Sequence, residues 1–275
     1  MLDQVAALTV PHSYFTSFYY VSTLLSIFWA SQLISRGPAF RAVSAYCEPR
    51  NEHDSVSFDR VLVTWTLMLA QGSRRLYESL TLSGPSKSRM WVGHWVLGLA
   101  YYAGASIAVW VEGICKPGLS PTVRQALTTP ISAVLQSHEY SLSDLTIKAP
   151  SLRSIVAILI FILASGLQHD CHAYLFSLKT KTKSKSEGGE YTLPTHPAFT
   201  RIIVPHYTAE CLVYFALALI AAPSSSWGLN GTLACVLVFV VVNLGVTAEG
   251  TREWYVQKFG HDKIAGRWRM LPGVW

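Results

Sequence analysis

Residues 155–178 read IVAILIFILASGLQHDCHAYLFSL, an apolar run that ends on Gln168, His169, Asp170, Cys171 and His172. A helix of about 20 apolar residues crosses the hydrocarbon of a bilayer. Five polar or ionisable groups in a row are costly there unless they face protein or water. The next apolar run opens with a second such patch, Pro205-His206-Tyr207 and Glu210. Polar patches at adjoining ends of consecutive spans predict one shared site at one membrane face.

The rest of the chain has the same character. Of its 275 residues 51% are hydrophobic and 14% charged, against about 25% charged in ordinary soluble domains. Spans are expected at 13–34, 58–80, 91–112, 152–177, 203–222 and 229–248. The fold class is therefore an all-α multispan integral membrane helix bundle of about six helices. A seventh arises only if the weak stretch 126–136 crosses rather than lying re-entrant or at the surface. The first run is too long for a signal-peptide core and only Asp3 is charged before it, so it is expected to be a retained helix. The five cysteines, 47, 115, 171, 211 and 235, form no spaced framework and are expected as free thiols.

With six spans both termini share one side, and that side carries 14 of the 22 basic residues, against 8 on the other. The positive-inside rule then puts the termini and both polar patches in the cytosol. Basic loops at anionic headgroups account for the net charge of +6 without nucleic acid. Residues 179–190, KTKTKSKSEGGE, read as a flexible basic loop, and 113–150, with four prolines, as a lumenal loop.

Each polar constellation has a plain structural reading beside the functional one. His169 and His172 share a helix face. They suit cofactor or substrate binding, with an interfacial role as the alternative. No second histidine cluster completes a metal site, so no metal is expected. In VPHYTAE, His206 and Glu210 share a face and either bind a ligand or pair with each other. QGSRRLYESL at 71–80 sets Arg74 four residues before Glu78, with Arg75 beside them, as a phosphate site or as interface anchors. The aromatic, basic tail 249–275 is expected as a helix lying at the headgroups or as a lid. No Walker loop, GxGxxG after a strand or GxSxG occurs, so any nucleotide is held by side chains and helix ends.

In this order, LQHDCHAYL, GEYTLP, PHYTAE, WYVQKF and RWRMLPGVW, with QGSRRLYESL upstream, resemble the steroid 5α-reductase family and within it the polyprenol reductase branch. The resemblance covers about 61–80 and 155–275. It sets a poorly matched 1–60 apart from a reductase core at 61–275, whose family-like part is 155–275. It implies a multi-pass reductase of the endoplasmic reticulum membrane that uses NADPH and saturates the α-isoprene unit of long-chain polyprenoid lipids. The product line leads to dolichol for protein N-glycosylation. Gln168, His172, Lys179, Tyr191, His206, Glu210 and Tyr255 match cofactor-contacting positions. Arg252 stands where the branch usually has His; it can bind phosphate but cannot donate a proton at neutral pH. The tyrosine with which steroid enzymes polarise a ketone falls at Gly72 or Ser73, leaving Arg75, Tyr77, Glu78 and His169 as candidate catalytic donors.

Hydride adds readily to an alkene conjugated with a carbonyl, so the expected substrate is polyprenal rather than polyprenol. Rival readings are a steroid or enoyl-thioester reductase of the same family, an isoprenylcysteine-type methyltransferase, and a membrane transporter. A transporter would carry its polar groups near the midplane rather than at one face.

Overall fold

A run of small and apolar residues, PHYTAECLVYFALALI, forms the hub of the molecule. In a computed structural model, described over residues 8–35, 37–45, 56, 58–84, 88–114, 149–185, 191–223 and 228–274, this run is a helix, Pro205–Ile220, which we call α6. Proline at its first turn costs no hydrogen bond because that donor has no helical partner. Ala209, Val213, Ala216, Leu217 and Ala218 are wholly enclosed. Small side chains allow neighbouring helices close approach, which replaces the hydrophobic drive that lipid removes.

The preceding helices are α1 Thr16–Ser35, α2 Pro38–Ala45, α3 Phe58–Thr81, α4 Val92–Ile114 and α5 Leu152–Lys185; α7 Gly231–Phe259 and the short α8 His261–Ile264 follow α6. In one group α1 packs on α3 and α4; in the other α6 packs on α5 and α7; contacts of α4 with α7 and of α3 with α6 join them. The protein is thus an all-α membrane bundle. Among the described residues α4, α5 and α7 are long and apolar enough to cross a bilayer, and α6 is a shorter apolar helix. On α5, Leu152, Ile155, Val156, Leu159, Ile162 and Leu163 are exposed, and on α7 Val238, Val242 and Val246. Their spacing of three and four sets each group on one helix face, the side that meets lipid.

Three features differ from expectation. The 34 residues of α5 extend about 50 Å at 1.5 Å per residue, more than the roughly 30 Å of hydrocarbon. The lysine-rich stretch read as the start of a loop at 179 therefore continues the helix to Lys185; lysine is a good helix former. The stretch from Glu249 to Phe259, read as the start of a separate tail, continues α7, which stops at Gly260 with φ 91°. The remaining tail turns back. Ile203 N donates to the Trp268 carbonyl at 2.9 Å and the Thr208 hydroxyl to the Met270 carbonyl at 2.5 Å. Ile264 and Met270 within this tail are buried in the core, so the end of the chain is packed onto the start of α6. Finally, a two-stranded antiparallel ribbon, β1 Thr9–Pro11 with β2 Arg89–Trp91, ties the N-terminal segment to the start of α4. Cys171, Cys211 and Cys235 are free; Cys47, Cys115 and the stretch 126–136 lie outside the described residues.

Candidate active site

Glu78 is 2% exposed and accepts four hydrogen bonds. Arg74 Nη1 and His169 Nδ1 (2.8 Å) donate to Oε1; Arg75 Nη1 (2.5 Å) and His172 Nδ1 (2.8 Å) donate to Oε2. Helical spacing makes this possible. Gln71, Arg74, Arg75 and Glu78 lie on one face of α3, and Gln168, His169 and His172 on one side of α5. A carboxylate has about four lone-pair sites, so Glu78 is filled.

The filled carboxylate fixes the imidazoles. His172 Nδ1 also lies 2.7 Å from Arg75 Nη1, but one nitrogen cannot donate to Glu78 and accept from Arg75 at once. We assign its hydrogen to Glu78, because Arg75 has Glu78 and the Tyr19 hydroxyl (2.5 Å) as acceptors. The Arg75 guanidinium also lies 4.8 Å from the centre of the Tyr19 ring. His172 then carries no hydrogen on Nε2 when neutral, and that nitrogen is an acceptor.

A second layer joins α3, α5 and α6. Gln71 Nε2 donates to Gln168 Oε1 at 3.0 Å and to Glu210 Oε2 at 3.3 Å. Gln168 Nε2 also donates to Glu210 Oε2, and Arg74 Nη2 to Gln168 Oε1 and, at 2.8 Å, to Gln71 Oε1. Both bonds to Glu210 use Oε2; Oε1 has no protein partner among the described residues. His206 does not pair with Glu210. Its Nδ1 is buried without a hydrogen bond, and its ring meets His172 edge-on at 5.3 Å.

These residues border a cavity of about 450 Å³, a size typical of small-molecule sites. The structure brings Arg75, Gln168, His172, His206 and Glu210 to its wall. Glu78 stands behind that wall, and His169 stands half-exposed on the outer side of Glu78. Tyr77 is 61% exposed on the outside of α3. Tyr191 and Tyr255 flank Trp254 at 5.0 and 5.5 Å, away from the cavity lining. Arg252 lies 3.9 Å from Glu249. Lys179 is exposed at the ribbon end; burial first, and then the Lys179 ammonium, hold the His12 imidazole below its usual range, and His12 borders the cavity.

Sequence reading missed Tyr19, the pair Tyr101 and Tyr102, and Asn243 and Thr247 on α7, all on the cavity wall. Asn243 interrupts VVVNLGV and could have been flagged by the polar-residue test that found Glu210. Among the described residues no group of three His, Cys, Asp or Glu is placed to hold a metal ion.

Residues 131–275, just over half the chain, match the family model for 3-oxo-5-alpha-steroid 4-dehydrogenase. Polyprenal reductase 1 of Oryza sativa subsp. indica is 28% identical over 98% of this chain and 80% of its own length. Polyprenal reductase 1 of Arabidopsis thaliana is 27% identical over 97% and 82%. The polyprenal reductase of Saccharomyces cerevisiae is 25% identical over 96% and 75%. With the family model matched over more than half of its residues and its relatives aligned along nearly the whole chain, this protein belongs to the steroid 5α-reductase family.

Proposed function

We propose that this oxidoreductase reduces the α-isoprene double bond of a long-chain polyprenal, using NADPH, in the endoplasmic reticulum membrane. The saturated lipid then supplies dolichol for protein N-glycosylation. One observation carries the reading. His206, whose buried Nδ1 has no hydrogen-bond partner, and Glu210, whose Oε1 accepts from no side chain among the described residues, line the same cavity as the Arg75–Tyr19 pair. Buried polar atoms are nearly always satisfied, so unsatisfied ones gathered on a cavity point to a ligand.

The residues fit a nicotinamide. Its carboxamide carries both a donor and an acceptor; Glu210 Oε1 can accept from it, and His206 and the Asn243 amide can complete the recognition. Gln71 and Gln168 hold Glu210 in place through Oε2. Lys179 and Arg252 are the cations available to phosphate. The reduced nicotinamide, when bound, supplies hydride. Arg75 brings positive charge to the cavity wall, where negative charge gathers on the substrate's oxygen. The apolar rings of Phe15, Phe18 and Phe239 on the same wall exclude water.

The names of the relatives support the aldehyde as the substrate, as does the chemistry, since an allylic alcohol has no carbonyl to accept charge. The test is purified protein with NADPH and either polyprenal or polyprenol, with products identified by mass. Saturated aldehyde from polyprenal is expected. Saturation of polyprenol with no aldehyde present overturns the aldehyde reading, and reduction of a steroid enone in preference to both overturns the polyprenoid one.

A further inference from the structure

We infer that Tyr19, on the first helix, is the catalytic hydrogen-bond donor to the carbonyl oxygen of the substrate. The inference rests on the proposed enal reduction. Tyr19 is 3% exposed and borders the cavity. Its hydroxyl oxygen accepts from Arg75 Nη2 at 2.5 Å, and no acceptor for its own hydrogen exists among the described residues. A buried phenol normally has a partner for its hydrogen. Here that donor is spare, next to a cation and beside the cavity.

Arg75 is fixed in turn. Glu78 takes its Nη1 at 2.5 Å, so the guanidinium delivers Nη2 to Tyr19 in a set direction. A phenol that accepts a hydrogen bond from a cation becomes a stronger donor, because the two bonds polarise each other. The chemistry needs such a group. As the β-carbon gains hydride, the alkene electron pair shifts between the α-carbon and the carbonyl carbon, and negative charge gathers on the aldehyde oxygen. Tyr19 donates a hydrogen bond to that oxygen and keeps its proton; the α-carbon takes its proton from solvent water only after hydride transfer is complete. Donors placed where charge develops in a dry site are worth about 10²–10³-fold in rate each.

Tyr102 also borders the cavity, with its ring edge-on to Tyr19 at 5.9 Å, but no cation is bonded to its hydroxyl. It is the natural rival. Tyr19→Phe keeps the ring and its contacts with Phe15 and Tyr102 and removes only the hydroxyl. In full-length protein in lipid nanodiscs, with NADPH and farnesal as a short enal, Tyr19→Phe should lower kcat about 10²–10³-fold. KM should change only a few-fold, and NADPH affinity, read by its fluorescence, should not change. A second readout needs no turnover. The carbonyl stretching band of farnesal bound without cofactor should lie below its position in an apolar solvent in the wild type, and return toward it in Tyr19→Phe. An active wild type whose Tyr19→Phe variant keeps both kcat and the lowered band overturns the assignment. So does the transfer of both losses to Tyr102→Phe. A wild type that reduces no enal overturns the proposed function, and this inference with it, a result that cannot be mistaken for the other two.

Discussion

The two ends of the bundle both bury charge, and they use it in opposite ways. At the end where α6 finishes, charged groups satisfy helix termini. Arg60 and Arg153 donate to the Ala222 carbonyl at 2.7 and 2.8 Å, beyond the C-terminus of α6, where cations suit the helix dipole. Glu112, 5% exposed, accepts from the Thr232 backbone at 2.7 Å and hydroxyl at 2.6 Å, at the N-terminus of α7. At the end where α6 begins, charged groups satisfy one another around Glu78. The surplus is left on residues that line a cavity, among them the Tyr19 hydrogen, the Tyr101 hydroxyl, His206 Nδ1 and Glu210 Oε1. Charged groups taken up by helix termini mark the first end as scaffold, and spare capacity on a cavity marks the second as a site.

Glu78→Ala should have the largest effect. It leaves Arg74 and Arg75 without their shared carboxylate, and breaking a buried ion pair by removing one partner costs about 3–5 kcal/mol. Thermal unfolding in nanodiscs, with and without NADPH, should show a large drop in both states together with loss of turnover. A variant that unfolds like the wild type would mean that the network does not hold α3 to α5.

Glu210→Ala should separate binding from folding. Gln71 and Gln168 still bond each other in its absence, so stability should change little. NADPH loses an acceptor, and hydrogen bonds to charged groups contribute about 1.5–3 kcal/mol, or roughly 10- to 150-fold in Kd. Unchanged NADPH affinity in a titration would remove Glu210 from the cofactor site and return it to a purely structural pairing.

The same comparison explains what the sequence could and could not tell. Gln168, His172, His206 and Glu210 were legible because each interrupts an apolar run, where a polar residue stands out against its cost in lipid. Tyr19 was not. In SFYYVSTLL its hydroxyl is hidden inside an aromatic residue that suits a lipid-facing or core helix equally well, and only the arrival of Arg75 from α3 distinguishes it from Tyr20. Met90 reaches the cavity through a three-residue strand and His12 through the four-residue 3-10 turn that follows the other strand, both too short to show any period. Tyr77 and Glu78 are neighbours in sequence and were weighed together, yet successive residues on a helix point about 100° apart. One is enclosed and the other faces outward.

At the scaffold end the expected effects are smaller and fall on stability alone. Asn230 is 2% exposed and caps α7, its side-chain oxygen accepting from the Leu233 backbone at 2.9 Å. Replacing such a cap with alanine costs about 1 kcal/mol. Asn230→Ala should lower the unfolding temperature by a few degrees and leave kcat and NADPH affinity as they were. A fall in kcat with stability intact would couple this end of α7 to Asn243 and Thr247 at the cavity, and the division into scaffold and site would fail.

Tyr77→Phe should do the least. The side chain is 61% exposed on α3, it is absent from the cavity wall, and surface changes of this kind usually fall within about 0.5 kcal/mol. Turnover, KM and unfolding should all match the wild type. The sequence offered Tyr77 as a candidate donor and passed over Tyr19; once the helices are packed, Tyr19 meets Arg75 at the cavity while Tyr77 turns toward the outside. If Tyr77→Phe lost turnover while Tyr19→Phe kept it, catalysis would have to occur on the outer face of α3, and the spare hydrogen-bonding capacity of the cavity would need another ligand to explain it.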